Sequence, residues 1–243
     1  MFLFYFVKQV LLPKFMAVCE CLAPLSSVLV FLAPIPTILQ VYRNGTVGDL
    51  PLLPYTAMLN NAFLWFIYGF LNDEPKIWTS NAVGFFIGCF YFLEFIRFAP
   101  KRSRTLPGSI TQHFHFCFAL VLGTLLLALI DTSGAVIGHL AVLFCVAMFA
   151  SPLAALPTVM ETKSAKAIPM TYTVAVLANS ILWTIVGILD MHDINIYVPT
   201  TLGLGLSALQ IGLKVKYGNG PSDLLSPTTM GTDLYSPVLL YSP

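Results

Sequence analysis

Two apolar stretches of this chain repeat one another 118 residues apart, and each is long enough to cross a membrane more than once. At that one offset Pro34 falls on Pro152, Val41 on Val159, Ala57 on Ala175 and Leu59 on Leu177. Asn61 falls on Asn179, Leu64 on Leu182, Trp65 on Trp183, Ile67 on Ile185 and Gly69 on Gly187. A duplicated membrane unit with matched prolines, asparagines and tryptophans is the build of a small transporter whose site lies between the halves.

Composition says where such a unit must live. The chain is 57% hydrophobic and 9% charged, with a mean hydropathy of +0.83. Soluble domains carry roughly 25% charged residues, so this supply cannot build a water-exposed surface. Seven apolar segments are long enough to span, at about 22–42, 52–71, 76–98, 111–130, 135–160, 167–189 and 194–215. Each must be helical, because backbone groups in lipid find no water to pair with. Most Lys and Arg fall at one set of alternating ends: Arg43, Arg97, Lys101, Arg102, Arg104, Lys163, Lys166, Lys214 and Lys216. The opposite loops hold Asp73, Glu74, Lys76, Asp131, Asp190 and Asp193. By the positive-inside rule the C-terminus is cytosolic and the N-terminus is outside.

The fold class read from this is an all-α membrane protein of seven transmembrane helices. Two parallel three-helix bundles, 18–98 and 135–216, are joined by 99–134, which carries a cytosolic loop and an inversion linker helix. A unit of three spans repeated in tandem would insert upside down, and the fourth span restores the orientation. Residues 1–17 read as an apolar N-terminal stub too short to span, without the basic start of a signal peptide. Residues 217–243, rich in Gly, Pro, Ser and Thr, read as a disordered cytosolic tail. The cysteines show no metal or disulfide spacing and read as small packing residues.

Counting at 1.5 Å per residue places the polar groups in depth. Trp65, Asn81, Trp183 and Thr200 all fall roughly 8–9 Å below the outer ends of their spans. Asn61 and Asn179 lie about 15 Å deep, near the middle of a ~30 Å core. Two mid-membrane amides under two indoles form a pseudo-symmetric ring that suits an uncharged polyol. Indole faces stack on the C–H face of a sugar, and carboxamides both donate to and accept from hydroxyls. No charged residue is expected at the midplane, which argues against a charged solute or a proton-coupled cycle. Pro34, Pro54, Pro152 and Pro169 share the inner membrane level, two per repeat, and read as a hinge.

These residues match a known family. Leu32-Ala-Pro34, Leu53-Pro54-Tyr55, Leu59-Asn-Asn61, Trp65-Phe-Ile-Tyr68-Gly69, Ser80-Asn81 and above all Phe149-Ala-Ser-Pro152-Leu153 with Glu161-Thr-Lys-Ser164 resemble the SWEET (MtN3/saliva) sugar transporters over about residues 22–217. The resemblance implies a uniporter of mono- or disaccharides that rocks two three-helix bundles. It implies that Asn81 binds sugar, that Trp65 and Trp183 are pocket aromatics, and that Val30, Asn61, Met148 and Asn179 set pocket width. It further implies that Pro34, Pro54, Pro152 and Pro169 form a proline tetrad and that Tyr68 and Asp193 form an outer gate. The loop 190–193 reads one residue longer than usual, so Asp190 stays open as the gate acid. Where the family has Pro-Asn in the seventh span, this chain has Val198-Pro199-Thr200-Thr201. Thr200 offers a hydroxyl in place of the amide.

The expected function is bidirectional facilitated diffusion of a sugar, with a hexose favoured because Asn61 and Asn179 narrow the pocket. No enzyme activity, cofactor, metal or nucleic-acid partner is expected; the partners are sugar and bilayer, with a homo-oligomer left open. The plasma membrane is the expected location, with an intracellular membrane as the other reading. The alternative is a proton-coupled amino-acid exporter of the PQ-loop type, but Ile35 and Leu153 follow Pro34 and Pro152 where that type has Gln. A seven-span receptor is disfavoured by the internal repeat.

Overall fold

A computed structural model describes residues 7–48, 50–99, 109–148, 156–157, 159–166, 168 and 170–218. Every regular element among them is helical. A π-helical turn at Val7–Leu11 leads into α1, Leu12–Leu32, and α2, Ile35–Asn44. Then follow α3, Leu53–Leu71; α4, Pro75–Phe98; α5, Ile110–Ile130; and α6, Ala135–Met148. Last come α7, Met170–Val186, continued by a π-helical turn at Gly187–Met191, and α8, Ile194–Tyr217.

The first span departs from its expected bounds. Gln9–Asn44 is one apolar helical run of 36 residues, about 54 Å at 1.5 Å per residue, against a ~30 Å core. The described part of the expected stub is therefore helical and continuous with α1. Polar breaks mark where a helix leaves lipid, not where it stops, and Pro13 sits in the first turn, where a missing N–H costs nothing. The run is interrupted at Ala33-Pro34, where α1 ends and α2 begins. That break frees carbonyls of α1, and the buried Tyr91 hydroxyl of α4 donates to the Phe31 carbonyl at 3.0 Å.

The two halves pack alike. α4 lies against both α1 and α3, and α8 lies against both α6 and α7. Across the halves, α1 meets α7 and α3 meets α6. One core cluster sits inside the first triple, around Phe31, Leu59, Tyr91 and Phe95. A second joins the halves, with Ala23, Leu64, Trp65, Ile137, Trp183 and Ile196. α5 starts with a capping box, Ser109 with Gln112, and packs mainly on α3. Two polar rungs fasten it there: the Thr56 hydroxyl pairs with His113 Nδ1 at 2.9 Å, and Asn60 Nδ2 donates to Cys117 Sγ at 3.5 Å.

The matched glycines of the repeat have a steric reason. A Cβ on Gly69 would lie 2.8 Å from the Ile77 side chain and from the Trp78 backbone nitrogen. A Cβ on Gly187 would lie 3.0 Å from Ile196 and 3.2 Å from the Tyr197 backbone nitrogen. Each glycine lets the second helix of its triple turn tightly into the third. The same turns show why the offset changes. Glu74 N–H donates to the Gly69 carbonyl and Asp193 N–H to that of Gly187, so the second turn holds one more residue. The π-helical turn absorbs that residue, and beyond it the repeat runs at an offset of 119, pairing Ile77 with Ile196 and Asn81 with Thr200. Gly69→Ala, which meets the Trp78 backbone nitrogen as well as the stiff Ile77 side chain, should destabilise the protein by about 1–3 kcal/mol. Thermal unfolding in detergent should show the loss, while Gly123→Ala, with nothing within 4 Å, should not lower the midpoint.

Candidate functional site

Between the triples lies a cavity of about 150 Å³. Its lining includes all of Val30, Asn61, Trp65, Asn81, Met148, Asn179, Trp183 and Thr200. Ser27, Phe31, Met58, Ile77, Cys145, Tyr172, Ile196 and Pro199 complete it, so no lining residue among those described carries a charge. The wall is made of repeat pairs: Asn61 with Asn179 and Trp65 with Trp183, joined by Ser27 with Cys145 and Val30 with Met148 at the same offset of 118.

The hydrogen bonds cross between the halves. Indole nitrogen only donates, and Trp183 Nε1 donates to Ser27 Oγ of α1 at 2.7 Å. Ser27 in turn donates to Asn179 Oδ1 at 2.9 Å, while the one hydroxyl hydrogen of Ser26 lies on the Ala23 carbonyl at 2.7 Å, with Asn179 Oδ1 at 3.0 Å from its oxygen. With its oxygen engaged by Ser27, Asn179 has its N–H₂ left for the cavity it lines. The mirror contact runs from Cys145 Sγ of α6 to Asn61 Oδ1 of α3 at 3.4 Å. Asn81 gives one N–H to the Ile77 carbonyl at 2.9 Å, which leaves its own carbonyl oxygen and second N–H for a ligand. Hydroxyl-rich, uncharged matter fits between these amides and the two indoles.

One end of the cavity is bolted. The Trp65 ring meets the Tyr68 ring edge-on at 5.6 Å between centroids. The Tyr68 hydroxyl donates to Asp193 Oδ2 at 2.5 Å and accepts from Asn195 Nδ2 at 3.3 Å. Asp193 also holds the start of α8, its Oδ1 accepting from the Asn195 backbone N–H at 2.9 Å. Asp190 bonds Lys76 instead, and Lys76 lies 3.5 Å from Glu20. Of the two acids, then, Asp193 is the one on Tyr68. Beyond Tyr68 is a hollow of about 390 Å³ lined by Asn72, Glu74, Met191, His192, Asp193 and Ile194. Burial pushes the Glu74 carboxyl up, Lys76 pulls it back, and Asp190, Asp193 and Asp73 push it further up.

The proline positions divide. Pro34 sits in the break between α1 and α2, whereas Pro54 is in the first turn of α3, a position that starts a helix without bending it. Pro152 and Pro169 lie outside the described residues. Ser26, Ser27, Cys145, Tyr172 and Asn195 were not anticipated. Cys145 is a cavity residue and not only packing, and its partnership with Ser27 could have been read by applying the 118 offset to small residues.

The family model described as "Sugar efflux transporter for intercellular exchange" matches residues 18–103 and 135–221. The chain belongs to this family. Similar members include the bidirectional sugar transporter SWEET11 of Arabidopsis thaliana, 33% identical over 199 residues that cover 81% of this chain and 68% of that one. SWEET14 of the same plant is 32% identical, with 80% and 71% covered. The 3.7 Å structure of a eukaryotic SWEET transporter matches with a TM-score of 0.72 at 24% identity, covering 84% of this chain and 98% of that chain. That likeness is one of fold. Membership and the apolar helices make this a multi-pass membrane protein.

The crossed bonds predict unequal costs for the two small wall residues. Ser27→Ala leaves the buried Trp183 N–H without its acceptor and should cost about 1–3 kcal/mol. Cys145→Ala removes a thiol that is a weak donor to Asn61 and a weak acceptor for Trp65, and should cost less, under about 1 kcal/mol. Thermal unfolding of the two variants in detergent checks the order.

Proposed function

We propose that this protein is a bidirectional uniporter of neutral sugars, a hexose favoured, working by alternating access between its two triples. The observation that carries the reading is the uncharged cavity between the halves, walled by paired amides and paired indoles. The relatives named as bidirectional sugar transporters support the same substrate class. Asn81, Thr200, Asn61 and Asn179 bind hydroxyls, Trp65 and Trp183 stack on the ring, and Val30 and Met148 bound its size. An acid that could carry a coupling proton is absent from the described cavity wall, which favours facilitated diffusion over the proton-coupled exporter.

Tyr68 and Asp193 form the outer gate, held shut here by their hydrogen bond. Pro34, Pro152 and Pro169 are the inner hinge, with Pro34 at an existing break, and Pro54 contributes to it only by fixing where α3 starts. The N-terminus faces outward, the C-terminus faces the cytosol, and the plasma membrane is the location.

Uptake of labelled glucose into transport-null yeast tests the reading. Uptake should be unaffected by a protonophore and should vanish in Asn81→Ala while the protein still reaches the surface. Glucose should exceed sucrose; the reverse order would overturn the hexose preference. The gate has its own test. A Cβ on Gly138 would lie 2.5 Å from the Tyr68 ring, so Gly138→Ala should dislodge Tyr68 from Asp193. In cells carrying Cys145 as the sole cysteine, Gly138→Ala should raise its labelling by an impermeant maleimide added outside by severalfold.

A further inference from the structure

Asn81 and Thr200 occupy equivalent places in the two repeats, and each bonds back to the carbonyl four residues earlier. The consequence differs because the side chains differ. Asn81 keeps an acceptor and a donor for the cavity after bonding Ile77. Thr200 has one hydrogen, and it lies on the Ile196 carbonyl at 2.8 Å. From α7, Thr184 Oγ1 then donates to Thr200 Oγ1 at 3.1 Å. That contact occupies one lone pair and fixes the rotamer; the remaining lone pair is what Thr200 shows to the cavity it lines. Thr184 itself does not line the cavity, and its repeat equivalent at the offset of 118 is Phe66, which has no hydroxyl.

Resting on the sugar-transport reading, we infer that Thr184 is a positioning residue that makes Thr200 an acceptor-only contact, so that the second triple reads the direction of a sugar's hydrogen bonds. A hydroxyl facing Thr200 must donate. Asn179 differs, since Ser27 engages its oxygen and its N–H₂ is the donor it offers the ligand. A fluorine in place of a hydroxyl accepts weakly and cannot donate. It therefore suits Asn179 and fails at Thr200, where an asparagine would have tolerated it.

The full-length protein in liposomes, taking up labelled glucose in competition with monodeoxy and monodeoxyfluoro glucoses, tests this. At one ring position the fluoro sugar should compete as poorly as the deoxy sugar, each about tenfold weaker than glucose. At another the fluoro sugar should compete well and the deoxy sugar should not. Thr200→Asn should bring the first fluoro sugar back to within about threefold of glucose. Thr184→Val frees the Thr200 hydroxyl to rotate, so KM for glucose should rise with kcat unchanged and the difference between positions should narrow; Thr184→Ser should restore both. Fluoro sugars that compete like glucose at every position, or a Thr184→Val protein with native KM and native discrimination, would overturn the inference and leave sugar transport standing. Folded protein that takes up no sugar would overturn the transport reading and this inference with it.

Discussion

The Trp183–Ser27–Asn179 chain is the contact on which the site depends. An indole N–H at membrane depth has no water to turn to, and an unpaired buried donor costs more than a made bond gains. α1 must therefore bring Ser27 to α7, and once there the serine dictates which way the Asn179 amide faces. Cys145 does the same for Asn61 from the other half, through a weaker donor. Each half thus orients the other's cavity amides. A rocking motion between the halves must carry these contacts with it or exchange them, which ties the posture of the triples to the state of the pocket.

Packing within each triple rests on absent side chains. Gly69 and Gly187 admit the tight turns into α4 and α8, and a Cβ on Gly84 would fall 2.3 Å from the Phe31 ring. Phe31 lines the cavity, so Gly84 in α4 indirectly sets where one wall stands. Lipid offers no hydrophobic drive for helices to associate; close approach through small residues supplies the contact in its place.

Much of the site was legible because depth and repetition are both readable from a linear chain. Span lengths fix the level of Trp65, Asn81, Trp183 and Thr200, and the offset marks Asn61 and Asn179 as partners. Ser27 and Cys145 escaped because a small residue in a span looks the same whether it packs or bonds. The direction of the Thr184–Thr200 bond escaped for a different reason: it depends on which carbonyl takes the hydroxyl hydrogen, and no residue type encodes that. The N-terminal end of α1 was misjudged because bilayer thickness limits the apolar length a span needs, while helices continue past it.

The π-helical turn at Gly187–Met191 has a consequence for symmetry. Inside the membrane the two repeats answer one another residue for residue. At the turn the additional residue shifts the start of α8, and it is Asp193, not its counterpart Glu74, that meets a tyrosine; the residue equivalent to Tyr68 is Val186, which has no hydroxyl to offer. The duplicated chain therefore has one bolt where strict symmetry would give two. The cavity can keep matched walls while that end is fastened by a single acid–phenol contact, so the walls and the fastening are free to diverge independently under mutation.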